Sequence, residues 1–205
     1  VCANSAKGTP VDIGDMSRDW KGTEADRRDD GFTMDCLAGD TSRSARQIQV
    51  AIDGLSVVMK KGGAADVCVN THLGGLTVDQ LHWMFTAETD LAYNPSNDDG
   101  DAVKEWSDLS ADCGNAEIVL AYPDADSGTY EYFYETVLDE AEEGFRAGTQ
   151  SADDNVLVNT LIGDETSIGY FGYAYYQENM ATLAAAAVEN SDGNLVAPTA
   201  TTVGY

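Results

Sequence analysis

Ala116-Glu117-Ile118-Val119-Leu120-Ala121-Tyr122-Pro123-Asp124-Ala125-Asp126-Ser127-Gly128-Thr129 is the stretch that decides the fold. Its first half is an apolar, partly β-branched run that reads as a strand, and Pro123 closes it because proline cannot donate to a ladder. Beyond the turn, Tyr130, Phe133, Tyr134, Val137 and Leu138 recur at i, i+3, i+4, i+7 and i+8, which is one face of a helix. Strand, glycine-containing turn and helix in this order point unpaired backbone N–H groups at whatever sits before the helix, and an anion suits that place.

The same alternation extends outward. A second helix is expected from about Asp154 to Leu161, and Ile168-Gly169-Tyr170-Phe171-Gly172-Tyr173-Ala174-Tyr175-Tyr176 reads as a strand leading into a helical turn. Met180 to Val188 is expected as a last helix or Ala-rich segment, and Leu195 to Pro198 is strand-like. Upstream, Thr77 caps a helix that places Val78, Leu81, Trp83, Met84 and Phe85 mostly on one face. His82 lies beside that face and reads as a surface or half-buried histidine rather than a ligand. The run from Ile48 to Met59, interrupted at Asp53-Gly54, reads as a strand passing between layers. Residues 19–47 are polar, with loop character and one exposed helix around Thr23 to Arg28. Thr9 to Arg18 is a short strand running into a Gly/Asp/Ser turn. Strands alternating with helices give an α/β fold.

Composition narrows the function. The 205 residues carry 36 acids against 11 bases, a formal charge of −25, with 43% apolar residues. A core of ample size is available, and a charge this negative repels phosphodiester backbones and anionic lipid surfaces, so nucleic acid and acidic membranes are excluded as partners. No run approaches the roughly 18 consecutive apolar residues of a membrane-spanning helix. Only 5 lysines, with acids in every segment, point to a surface adapted to salt or to an acidic compartment. The chain opens at Val1 with neither an initiator Met nor a signal peptide, as a mature or partial sequence does.

Four cysteines, Cys2, Cys36, Cys68 and Cys113, form an even set without a C-x-x-C pair, and two histidines accompany them. That argues against zinc and for two disulfides in an oxidising compartment. Three connectivities are open. Pairing Cys2 with Cys36 and Cys68 with Cys113 closes the two shortest non-overlapping loops and is favoured, with four free thiols as the alternative.

Two segments carry candidate ligands. At Ser127-Gly128-Thr129 two hydroxyls can donate, glycine lets the backbone approach, and N–H groups of the helix start lack partners, so an oxyanion of phosphate size fits. The competing reading is that Ser127 or Thr129 merely caps the helix. Asp126 would repel a fully ionised anion but accepts a hydrogen bond from one that keeps a proton, favouring hydrogen phosphate over sulfate. Ser17-Arg18 is the second segment, since arginine offers a planar fork to a tetrahedral oxyanion. Spacing alone does not bring the two together.

Asp126 to Phe133, Asp153 to Val158 and Ile168 to Tyr176 resemble, in order and at similar spacing, the phosphate-binding proteins of bacterial ABC importers. Val11 to Gly14 with Ser17-Arg18, and Val50 to Leu55, look like that family's earlier segments, so the resemblance covers roughly residues 10–200. It implies a type 2 periplasmic binding protein: two α/β lobes joined by crossover strands, with dehydrated phosphate between them. Residues 1–205 would form one PBP-like domain, approximately 1–50 and 185–205 supplying first-lobe and crossover segments and approximately 51–184 the second lobe. By motif match Ser127, Gly128 and Thr129 donate from the helix start, and Ser17 and Arg18 from the opposite lobe. Many relatives carry an arginine where this chain has Pro123, which raises the importance of Arg18. Relatives also begin with a Gly/Ser-rich loop and continue with further helices, so the first lobe is expected to be incomplete.

The resemblance implies phosphate as ligand, no cofactor or metal, an ABC permease or a larger assembly as partner, and an extracytoplasmic location, with an organelle lumen as the alternative. A different class of function is a truncated PBP-like domain serving as a structural or accessory subunit without phosphate. Enzymatic activity is not expected, because two histidines in one region make no credible Ser/His/Asp or Cys/His arrangement.

Overall fold

The structure is a computed structural model that describes residues 2, 13, 20–49, 53–89, 91–95 and 103–203, and the chain divides into two compact units, 1–52 and 53–205. Ser17, Arg18 and most of the strand expected between Thr9 and Arg18 lie outside the described residues.

In the first unit, residues 20–49 form a three-stranded antiparallel sheet, β1 (Ala25–Arg27), β2 (Thr33–Cys36) and β3 (Ser44–Arg46), in the order β1-β2-β3. This corrects the expectation of loop and an exposed helix around Thr23 to Arg28. The cause is turn chemistry. The Asp30 carboxylate accepts from the N–H groups of Phe32 (2.9 Å) and Thr33 (2.7 Å) and from the Thr33 hydroxyl (2.6 Å). Those bonds hold its pKa down to about 2, and Gly31 takes φ 75° beside it. Ala25, Met34 and Cys36 are buried, and Cys36 is bridged to Cys2.

The second unit is built on a five-stranded sheet: β4 (Leu55–Lys60), β5 (Val119–Tyr122), β6 (Thr149–Gln150), β7 (Ser167–Gly172) and β8 (Leu183–Ala185), in the order β6-β5-β7-β4-β8. β5 runs parallel to β6 and to β7, while β4 is antiparallel to both its neighbours. Around it lie α1 (Ala64–Asp66), continued by a π-helix over Val67–Leu73, then α2 (Val78–Phe85), α3 (Trp106–Leu109), α4 (Gly128–Thr136), α5 (Asp154–Gly163) and α6 (Tyr173–Asn179). Thr77 caps α2 as expected, in a reciprocal box with Gln80. The segment expected as a last helix is instead β8 followed by β9 (Val188–Glu189), which pairs with β10 (Leu195–Val196). Alanine has the highest helix propensity, but propensity is a weak determinant beside tertiary context, and here pairing with β4 and burial of Leu183 outweigh it.

Side chains alternate across this sheet and feed two cores. Val57, Met59, Leu120, Tyr122, Ile168 and Tyr170 join α2 and Phe133 of α4 in the larger one. Val58, Ala121 and Phe171 join Leu157, Val158 and Leu161 of α5 in the smaller. A chain that moves from β5 to β6 and then back past β5 to β7, with right-handed crossovers, must put α4 and α5 on opposite faces. Trp106 is fully buried and its indole N–H donates to the Thr166 carbonyl at 2.9 Å, while Cys68 is bridged to Cys113. Both disulfides follow the favoured pairing.

Tyr170 stacks on Phe133 with ring centroids 3.9 Å apart, and its fully buried hydroxyl has no hydrogen-bond partner among the described residues. Burial also pushes its ionisation far above the ordinary tyrosine range. A buried hydroxyl without a partner costs about 1–3 kcal/mol, so Tyr170→Phe is expected to leave urea stability unchanged or raise it by about 1 kcal/mol. A loss of that size would show that the hydroxyl is engaged.

Candidate functional site

Three parallel strands end at one edge of the sheet, and each leads into a helix: Tyr122 towards α4, Gln150 towards α5 and Gly172 directly into α6. β5 and β7 are neighbours, yet α4 packs Phe133 on the larger core and α6 packs Tyr176 on the smaller. Adjacent strands whose helices leave to opposite faces define the point where open α/β sheets bind ligands, outside the carboxyl ends of the strands.

The four consecutive residues Asp126 to Thr129 lie at that point. Ser127 is the N-cap of α4, and its Oγ accepts from the Thr129 N–H at 3.2 Å. Capping occupies the oxygen as an acceptor and leaves the hydroxyl proton free to donate. Among the described residues no acceptor meets the N–H of Gly128 or of Tyr130, as expected for the first turn of a helix. Ser127, Gly128 and Thr129 are half-buried and Asp126 is exposed, its own N–H donating to Asp124 Oδ1 at 3.1 Å. The turn therefore offers two hydroxyls, free N–H groups and the positive end of the α4 dipole to one small anion.

Two carboxylates at the same edge escaped the sequence reading. Asp53 precedes β4, whose first residue Leu55 pairs with Gly172; a Cβ on Gly172 would come within 3.0 Å of Asp53 Oδ2. Asp154 opens α5 behind the Asp153 cap, which accepts from the Asn155 N–H at 2.9 Å. Burial raises the Asp154 pKa, and the charges of Asp153 and Asp53 raise it further. The available signals were an Asp-Gly pair immediately before a β-branched run and an acidic pair at a helix start, and only the strand order relates them.

Because Asp154 holds its proton more tightly folded than unfolded, its ionisation opposes folding at neutral pH, and that cost fades as pH falls through the raised pKa. Asp154→Asn is therefore expected to raise the melting temperature at pH 7, with a smaller gain at pH 4. An equal or larger gain at pH 4 would count against that assignment.

Among the described residues of the second unit, none of the bases stands at this edge. Residues 53–205 hold four bases and 27 acids, a net of −23, against seven bases and nine acids in residues 1–52. Lys60 pairs with Glu165 at 3.1 Å and Lys61 donates to the Met180 carbonyl. Lys104 donates to the carbonyls of Trp83 and Thr86, and Arg146 to those of Met84 and Ile118. Burial lowers the Arg146 pKa. All four sit where β4 ends or β5 begins, at the far side of the sheet. Of the residues nominated from sequence, Asp126, Ser127, Gly128 and Thr129 thus stand together, and Ser17 and Arg18 fall outside the described residues.

Residues 3–204 match the family described as the PBP superfamily domain. Protein SphX of Synechococcus elongatus is 32% identical over 153 residues, 74% of this chain and 40% of that protein. The phosphate-binding protein PstS of Staphylococcus saprophyticus is 28% identical over 194 residues, 94% of this chain and 50% of that protein. A crystal structure of a possible phosphate binding protein from Planctomyces limnophilus superposes with a TM-score of 0.58 at 31% identity, over 76% of this chain and 48% of that one. The chain spans about half the length of these relatives or less.

Proposed function

This chain belongs to the PBP superfamily, and on that premise we propose that it binds inorganic phosphate outside the cytoplasm, as the substrate-binding component of an ABC phosphate transporter. The observation that carries the reading is the Ser127-Gly128-Thr129 turn at the strand-end edge where α4 and α6 diverge. Relatives described as phosphate-binding support it.

Phosphate is held between two lobes. Hydroxyls of Ser127 and Thr129 and N–H groups of the first α4 turn donate from one side, Ser17 and Arg18 from the other. Approximately 1–50 and 185–205 supply first-lobe and crossover segments, and approximately 51–184 the second lobe. Asp126 accepts the hydrogen bond of a protonated phosphate, which sulfate cannot offer at neutral pH. With a net charge of −25, capture rests on short-range donors, and long-range attraction plays no part.

Calorimetric titration of phosphate and of sulfate into the protein tests this. One-to-one binding of phosphate with no sulfate heat is expected. Absence of phosphate heat, together with co-purification in a stable complex, would favour an accessory subunit that binds no phosphate; equal heats for both anions would remove the role of Asp126.

A further inference from the structure

At the opposite end of the sheet from Ser127, β4 runs out through Lys61-Gly62-Gly63 into α1, and after Asp66 the helix widens into the π-helix Val67–Leu73, stopped by Gly74 at φ 79°. Such widened turns are found mostly singly inside α-helices, because their hydrogen-bond ladder is less favourable than the ordinary one. Seven residues of it need holding from outside. Asn70 contributes bonds from its Nδ2 to Asp66 Oδ1 at 2.6 Å and to the Ala185 carbonyl at 3.3 Å. The covalent restraint is the Cys68–Cys113 bridge, which fixes the second residue of the π-helix to a 3₁₀ turn at Ala111–Cys113.

The four cysteines differ in access. Cys2, Cys36 and Cys68 are 6%, 3% and 1% exposed, whereas Cys113 is half-buried and, with Gly63, Val67 and Cys68, lines an open groove. A small thiol approaching along that groove reaches a sulfur of this bridge while both sulfurs of the other belong to buried residues.

We propose that the Cys68–Cys113 disulfide is a reducible latch on the π-helix, opened by a dithiol that attacks at Cys113. The reductant's thiolate bonds to Cys113 Sγ and breaks the bridge, and Cys68 leaves as a thiolate that takes up a proton. The reductant's second thiol then displaces Cys113 as a thiol and closes its own disulfide. Two electrons and two protons pass from the dithiol to the protein. Released from Cys113, Val67–Leu73 rewinds towards the i to i+4 pattern, and Cys68 and Val69 turn out of their buried positions. This proposal does not depend on phosphate binding.

The test treats the folded protein with dithiothreitol, quenches by alkylation at intervals, and follows amide hydrogen exchange of the oxidised and partly reduced forms by mass spectrometry. Cys68 and Cys113 are expected to be labelled together about tenfold sooner than Cys2 and Cys36. Exchange over 67–73 is expected to quicken by at least about tenfold while 167–172 keep their protection. Labelling of all four cysteines at one rate, earlier labelling of Cys2 and Cys36, or unchanged exchange over 67–73 after Cys68 and Cys113 are reduced would each overturn the latch. The double variant Cys68→Val with Cys113→Ala, where it folds, should reproduce the exchange pattern of the reduced protein; the wild-type measurement decides the matter where it does not.

Discussion

Gly169→Ala is expected to destabilise the second unit by about 3 kcal/mol, because the new methyl group meets the backbone of the neighbouring strand β5 in the middle of the sheet. Gly169 lies in β7 opposite Ala121 of β5, and a Cβ there runs into the Ala121 carbonyl oxygen, with the carbonyl carbon at 3.0 Å and the Ala121 Cβ at 3.3 Å. None of these atoms is the free end of a flexible side chain. Relief requires β5 and β7 to separate, and that breaks the ladder that aligns α4 with α6. Gly163→Ala is the control: it lies at the end of α5, where an added methyl group meets nothing within 4 Å, and a helical alanine is favoured over glycine by up to about 1 kcal/mol. Urea denaturation should show a sharply lower midpoint for Gly169→Ala and an unchanged or higher one for Gly163→Ala. Equal midpoints would mean that the close approach of β5 and β7 is wrong.

The second large effect concerns binding. On the proposed reading, in which Arg18 pairs with phosphate, Arg18→Ala is expected to weaken phosphate affinity by at least about a hundredfold, since removing one partner of a desolvated charge pair costs about 3–5 kcal/mol. The four bases of residues 53–205 are all engaged at the far side of the sheet, so none of them replaces it without a rearrangement. Thr129→Ala removes one neutral donor and is expected to cost about tenfold, in line with about 0.5–1.5 kcal/mol for a neutral hydrogen bond and more where the partner is charged. Titration of both variants against wild type, with matched melting temperatures to exclude unfolding, reads this order directly. A larger loss for Thr129→Ala than for Arg18→Ala would move the weight of binding from the cation to the helix start.

How much of this was legible in the sequence depends on how local each determinant is. The strand, turn and helix from Ile118 to Leu138 could be read because an apolar run and a helical repeat abut at Pro123. β6 could not: two polar residues carry no pattern, and the strand is placed by its parallel register with β5 and by the Tyr122 hydroxyl, which donates to the Arg146 carbonyl at 2.6 Å and accepts from Gln150 Nε2 at 3.1 Å. The sheet at Ala25–Arg46 was hidden because it is organised by the Asp30 side chain and by cross-strand pairing. The Ala-rich run after Met180 misled because helix propensity is a weak prior beside a strand edge that needs a partner.

The site divides in the same way. Ser127-Gly128-Thr129 announced itself, since the chemistry of a helix start is local. Asp53 and Asp154 did not, although Asp53 contributes to raising the Asp154 pKa, because the strand order alone brings residues a hundred positions apart to one edge. On the proposed reading, the neutral donors of the site share one sheet edge with carboxylates. Such a setting favours an anion that still carries a proton and disfavours one that does not.

The most direct test of the central proposal is a titration of inorganic phosphate into the isotopically labelled protein, followed by amide NMR. The largest and saturable shifts are expected at the N–H groups of Gly128, Thr129 and Tyr130, with the amides around Cys113, at the far side of the sheet, unmoved. Phosphate that leaves the amides of Gly128 to Tyr130 in place, or shifts them less than those around Cys113, would contradict the proposal.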